Sequence, residues 1–265
     1  MRTHSAADGS QAVLYGVHDR VAHVTLNRPE VSNAIDIPLA RQLKVAMRSA
    51  GEDTDVDAVL LMGAGKNFCA GGDVAAMAAA ADRPAFLTSL VRAAHEAVKV
   101  MDAMPKPVVA AVQGAAAGAG FALALGADAV VAGGSARFVT AYTSIGLSPD
   151  SGLSWLLPRA IGQQRALELI MMSAPVDAER ARELGIVSQV CDDELVGESA
   201  HRLAVRLASR PTRALGEARH LVRSSWADGL ETHLDREAEV ISRLSAGAEA
   251  ANLIAQFLDG SRPFA

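Results

Sequence analysis

The sequence predicts an α/β core over residues 1–193 followed by an all-helical region over residues 194–265. Three observations carry this. Up to about residue 190, apolar runs of strand length alternate with runs of helical spacing. From about residue 194 onward, only helical patterns remain. Half of the 265 residues are hydrophobic while 4% are aromatic, so a sizeable core must be packed mainly from aliphatic side chains, Ala and Gly.

In chain order, Val21 to Leu26 alternates apolar and polar residues and reads as a strand, as does Ala58 to Met62. Between them Leu39, Leu43, Ala46 and Met47 recur at helical spacing. Val108 to Val112 and Ala129 to Ala132 are continuous apolar runs, the pattern of strands buried on both faces. Asp177 is placed to cap a helix that runs to Leu184 and stops at Gly185. Four helices follow, over Glu194–Ser209, Thr212–Trp226, Gly229–Leu244 and Glu249–Leu258. Arg210-Pro211 and Ala227-Asp228-Gly229 separate them. Such a tail either packs back on the core or mediates contacts between copies. No repeat, low-complexity linker or charge block interrupts the chain.

The net charge of -5 argues against a basic nucleic-acid footprint. No apolar run reaches membrane-spanning length. Met1 to Gln11 is polar and lacks the hydrophobic stretch of a signal peptide, so a cytoplasmic protein is expected. In that setting the two cysteines, Cys69 and Cys191, are expected to be reduced thiols.

Two segments place small residues between a strand and a helix. The first is Gly63-Ala-Gly-Lys-Asn-Phe-Cys-Ala-Gly-Gly-Asp73. It is not a phosphate loop: Leu60 stands where that pattern needs Gly, and Asn67 where it needs Ser or Thr. The second is Val112-Gln-Gly-Ala-Ala-Ala-Gly-Ala-Gly-Phe121, whose glycines have the wrong spacing for a dinucleotide fingerprint. Either turn alone is most simply a packing device. Together they could each aim one backbone N–H at the same oxygen, which is an oxyanion hole for a thioester carbonyl.

The series Asn27-Arg28-Pro29, Asn33-Ala34, Phe68-Cys-Ala-Gly-Gly-Asp73 and Gln113-Gly114 resembles the enoyl-CoA hydratase/isomerase (crotonase) superfamily in order and spacing. The resemblance continues through Phe138, Ile145-Gly146-Leu147, Pro149-Asp150, Trp155-Leu-Leu-Pro-Arg159 and Ala181 to Val187, and more loosely from Phe257 to Phe264. It implies a crotonase (ClpP-like) spiral of ββα units with a helical tail that builds trimers or hexamers. It implies an acyl-CoA substrate, with CoA arriving as part of the substrate and no separate cofactor. Carried over by position, the carbonyl donors are the amides of Ala70 and Ala119. Contacts to substrate or CoA fall to Arg28, Ala34, the Ala70-Gly71-Gly72-Asp73 turn, Gly118, Tyr142 and His95.

The reaction turns on residues 138–152. Hydratases of this family place water with two glutamates, and the matching positions here are Ala122 and Tyr142. The remaining carboxylate is Asp150, in a context that resembles the isomerases of phenylacetate degradation. There one base moves a proton along the acyl chain while the oxyanion hole holds the enolate. The bland alternative is that Asp150 only initiates a turn with Pro149 and Ser151. The aryl-CoA dehalogenase branch uses an Asp at this position as nucleophile, with a His base to which His95 would correspond. The resemblance also leaves open a hydratase, a non-catalytic acyl-CoA-binding homologue and an RNA-binding relative. His4, His18, His23, His201, His220 and His233 show no metal spacing, so no metal site is expected. Cys69 reads as a buried small hydrophobe, and Trp155 and Trp226 as core or interface residues. Glu231, Asp235 and Glu239 share one helical face with Arg236 and Arg243 nearby, which reads as a solvated or intersubunit face.

Overall fold

The computed structural model describes residues 2–3 and 11–261. His4, most of the polar start and the end of the Phe257–Phe264 segment lie outside the described residues. The chain opens with β1 (Arg2–Thr3), β2 (Val13–His18) and β3 (Val21–Leu26), paired antiparallel. Asp19 and Arg20 close the β2–β3 hairpin with φ of 51° and 60°, the two-residue turn whose twist suits a hairpin. Asp36 then caps α1 (Ile37–Glu52), accepting the Leu39 amide at 2.8 Å. β4 (Ala58–Gly63) leads to α2 (Val74–Ala79) and the long α3 (Arg83–Asp102).

Two similar units follow. The first comprises β5 (Val108–Val112), β6 (Ala115–Ala117) and α4 (Ala119–Leu125). The second comprises β7 (Ala129–Gly133), β8 (Arg137–Val139) and α5 (Leu153–Ile161). Then come α6 (Gln163–Met172), β9 (Val176–Asp177), α7 (Ala178–Glu183) and β10 (Gln189–Cys191). Asp177 caps α7 by accepting the Arg180 amide at 2.8 Å. The tail is α8 (Val196–Ala208), α9 (Thr212–Ser224), α10 (Leu230–Ser245) and α11 (Ala248–Leu258).

Among the described residues the strands form a seven-stranded sheet, β1-β2-β3-β4-β5-β7-β10, and a three-stranded sheet, β6-β8-β9. From β3 onward the large sheet is parallel. Two isolated bridges, Ile35 with Gly72 and Cys69 with Ala116, extend the small sheet toward the start of the chain. Each winding therefore lays one strand in the large sheet, one extended piece in the small layer, and then a helix. That repetition is a spiral of ββα units.

The large sheet is buried on both faces, which explains the continuous apolar runs of its central strands. Alternate residues point opposite ways. Val24, Val59, Leu61, Val108, Ala110 and Val130 belong to the main core with α1 and α3. Their neighbours Val21, Ala58, Leu60, Val109, Ala111 and Val131 pack against Val196, Ala200 and Ala204 of α8. The tail thus begins by packing back on the core. α9 is tied down by Arg219, which is 7% exposed. Its guanidinium donates to Asp128 at 2.8 Å and to the Met101 and Met104 carbonyls at 2.7 and 2.8 Å, at the C-terminal end of α3. Trp155 and Trp226 do not lie in the core. They are 55% and 63% exposed, and the Arg159 guanidinium lies 3.2 Å from the Trp155 ring centre. No helix among the described residues is long and apolar enough to cross a membrane.

Candidate active site

A cavity of about 290 Å³ opens between the Ala70–Gly72 turn, the middle of α3, the start of α4 and residues 141–151. Its walls are largely apolar, with Met77, Leu87, Leu90, Val91, Ile145 and Leu147 among them. An apolar pocket with few polar groups is the form that binding sites for small ligands take.

The two small-residue turns meet at this cavity because nothing larger fits. Gly71 has φ of 96°, and a methyl there would lie 2.8 Å from the Ala117 carbonyl oxygen. Gly118 has φ of 52° and ψ of -121°, a conformation open essentially to Gly. Asn33, fully buried, braces the first turn from below. Its side-chain nitrogen donates to the Ala64, Asn67 and Phe68 carbonyls at 2.9, 2.8 and 3.1 Å. Its side-chain oxygen accepts the Arg28 amide at 2.9 Å. Asn67 joins the two turns, accepting the Ala115 amide at 2.9 Å. Sequence reasoning does not mark either Asn as scaffold, although the Asn33-Ala34 pair points to the place.

The amide of Ala70 corrects one expectation. It already donates to the Ser32 carbonyl at 2.9 Å, so it is not free to polarise a substrate. Two residues on, the amide of Gly72 has no hydrogen-bond partner among the described residues, and nor does that of Ala119. Both residues line the cavity. Ala119 is the first residue of α4, where backbone N–H groups are left unpaired by the helix itself.

Asp150 is the one carboxylate among the cavity-lining residues. The Tyr142 hydroxyl donates to its Oδ1 at 2.6 Å. Burial first, and then the neighbouring Asp150 carboxylate, push the Tyr142 hydroxyl pKa well above its ordinary value. Tyr142 therefore remains a proton-bearing donor that fixes the carboxylate. Ser151, also lining the cavity, is buried with its hydroxyl unpartnered among the described residues. Ala122 is buried inside α4 and does not line the cavity.

His95 does not reach the cavity wall. It lies behind Ser151, and its Nε2 accepts the Ser151 amide at 3.2 Å. It is a support for the Asp150 segment rather than a substrate contact. Arg28, Ala34 and Asp73 form the outer shoulder of the first turn. Arg28 donates to the Ala34 carbonyl at 2.6 Å and to Asp73 at 3.1 Å, while Asp73 caps α2 through the Ala76 amide at 3.0 Å. Cys69 is fully buried, its thiol donates to the Asn33 carbonyl, and burial pushes its pKa up to about 12. Both cysteines are free thiols. Sequence spacing gave no hint that His18, Asp19 and His201 converge elsewhere on the molecule.

The sequence matches the enoyl-CoA hydratase/isomerase family over residues 16–263. It is 38% identical over 253 residues to a 1,2-epoxyphenylacetyl-CoA isomerase of Escherichia coli, covering 95% of this chain and 97% of that protein. A trans-2-decenoyl-[acyl-carrier-protein] isomerase of Streptococcus mutans is 36% identical over 254 residues, covering 95% and 96%. Among solved structures, an enoyl-CoA hydratase from Polaromonas superposes with a TM-score of 0.91 at 33% identity, covering 94% of this chain and 97% of that one.

Proposed function

The chain belongs to the enoyl-CoA hydratase/isomerase family and has its crotonase fold, and from that premise we propose that it shifts a carbon–carbon double bond in an acyl-CoA thioester. The acyl chain lies in the apolar cavity, and the thioester oxygen accepts the amides of Gly72 and Ala119. Asp150 removes a proton from the carbon next to the carbonyl of a 3-enoyl thioester. The electron pair moves into the conjugated enolate, whose charge the two amides stabilise. Asp150 then returns the proton to the carbon at the far end of the conjugated system, so the double bond moves and no atom is gained or lost. Tyr142 positions the carboxylate throughout. The CoA portion leaves over the shoulder formed by Arg28, Ala34 and Asp73. No cofactor is needed beyond the substrate itself.

The observation that carries this reading is the single carboxylate on the cavity wall, held by a tyrosine that stands where a second glutamate would be needed for hydration. Dehalogenation by Asp150 as nucleophile has less support, because His95 is engaged by Ser151 and lies off the wall. The exposed apolar residues of α10 and α11, among them Leu234, Ile241 and Phe257, support the tail as the contact surface of a homotrimer.

An ultraviolet assay of a trans-3-enoyl-CoA tests the proposal. Conjugation to the carbonyl raises the absorbance, and the rise is expected with the wild type and absent with Asp150→Asn. An equal rise in both would remove Asp150 from the mechanism.

A further inference from the structure

Away from the cavity, the fold gathers three imidazoles and one carboxylate. His18 ends β2, Asp19 opens the hairpin turn, His23 lies on β3, and His201 is on α8. Asp19 Oδ2 lies 3.1 Å from His18 Nδ1 and 3.4 Å from His201 Nε2. The three ligand atoms all lie within 4.8 Å of one another. Ligand atoms around a tetrahedral or octahedral ion with bonds near 2.1 Å are separated by about 3.0–3.5 Å. The two closer separations already match. The third can close by side-chain rotation, because the His18 and Asp19 side chains are 61% and 54% exposed.

His23 packs against His201, ring centres 5.0 Å apart, and both present a buried ring nitrogen with no partner among the described residues, His23 Nε2 and His201 Nδ1. His201 faces Asp19 through its other ring nitrogen, Nε2, and His23 lies beside the cluster as a packing partner.

We propose that His18, Asp19 and His201 form a binding site for a divalent transition metal ion such as Zn²⁺, Ni²⁺ or Co²⁺, completed by solvent. Two imidazoles and one carboxylate suit these borderline ions better than Mg²⁺ or Ca²⁺, which prefer all-oxygen shells. The ion joins the β2–β3 hairpin to α8, the helix that covers one face of the large sheet, so binding stabilises the folded chain. The site is independent of the acyl-CoA reading.

The test uses full-length protein freed of metal by a chelator, titrated with Zn²⁺ in a calorimeter and followed by thermal unfolding. One equivalent per chain with micromolar affinity and a Tm rise of several degrees are expected. Co²⁺ should give a visible absorption band. Asp19→Asn, which keeps the side-chain shape and tolerates the positive φ, and His201→Gln should each weaken binding at least tenfold and abolish the Tm shift. His220→Gln, outside the cluster, should retain both. The proposal is overturned by the absence of one saturable equivalent, or by equal affinity in the wild type, Asp19→Asn and His201→Gln.

Discussion

Asp150→Asn keeps the side-chain shape and an oxygen that can accept the Tyr142 hydroxyl, while removing the basic charge. A positioned general base contributes about 10²–10⁴-fold to rate, so kcat should fall by that much with little change in KM. Tyr142→Phe removes a hydrogen bond to a charged acceptor, worth about 1.5–3 kcal/mol, and kcat should fall about ten- to hundredfold. Steady-state kinetics on a trans-3-enoyl-CoA checks both. Cys69 gives a prediction of the opposite kind. It is fully buried and burial pushes its pKa up to about 12, so the thiol should resist alkylation by iodoacetamide at pH 8 in the folded protein. Mass spectrometry of the intact protein reads the result. At this scale Asp150, Tyr142 and Ala119, singled out in the sequence by resemblance, all line one cavity. The resemblance misjudged Ala70, because residue identity does not reveal which amide in a Gly-rich turn the Ser32 carbonyl consumes. His95 was assigned only by its correspondence to the His base of the dehalogenase branch, and position in the chain could not show that its ring is taken up by the Ser151 amide, off the cavity wall.

Four strands of the large sheet were legible, β3 by its alternation and the central ones because burial on both faces leaves an unbroken apolar run, as in Val108–Val112, whereas β1, β2 and β10 were not read. Nor was the small sheet. Ala115–Ala117 and Arg137–Val139 are three residues each, and alanine has little strand preference, so position in the spiral and not composition makes them strands. Leu60→Ala tests the contact between the sheet and α8. The side chain is fully buried against that helix, and its truncation should cost about 2–5 kcal/mol in denaturant unfolding. Gly71→Ala tests the turn. The positive φ and the nearby Ala117 oxygen oppose a methyl there, so the turn must shift, and acyl-CoA turnover should drop more than stability does.

Across the whole molecule, long-range pairs hold the helical tail to the core, and these were invisible in the sequence. Arg219 meets Asp128 across 91 residues, and Thr212 donates to Asp57 at 2.8 Å across 155. Burial alone would raise the Asp57 pKa, but hydrogen bonds from Arg20 and Thr212 outweigh it and hold it below the ordinary value of 3.8. A carboxyl held low binds its proton more weakly in the folded than in the unfolded chain. Its contribution is therefore present above pH 3.8 and lost as pH falls through the lower folded value. Asp57→Asn should reduce this acid-dependent loss of stability, measured as denaturant midpoints between pH 5 and pH 3. The central claim concerns the reaction itself: one carboxylate moves a proton and adds no water. Mass spectrometry of the thioester after incubating a trans-3-enoyl-CoA with the wild type addresses it most directly. The account predicts a conjugated product with the same mass as the substrate. A product heavier by one water would contradict it.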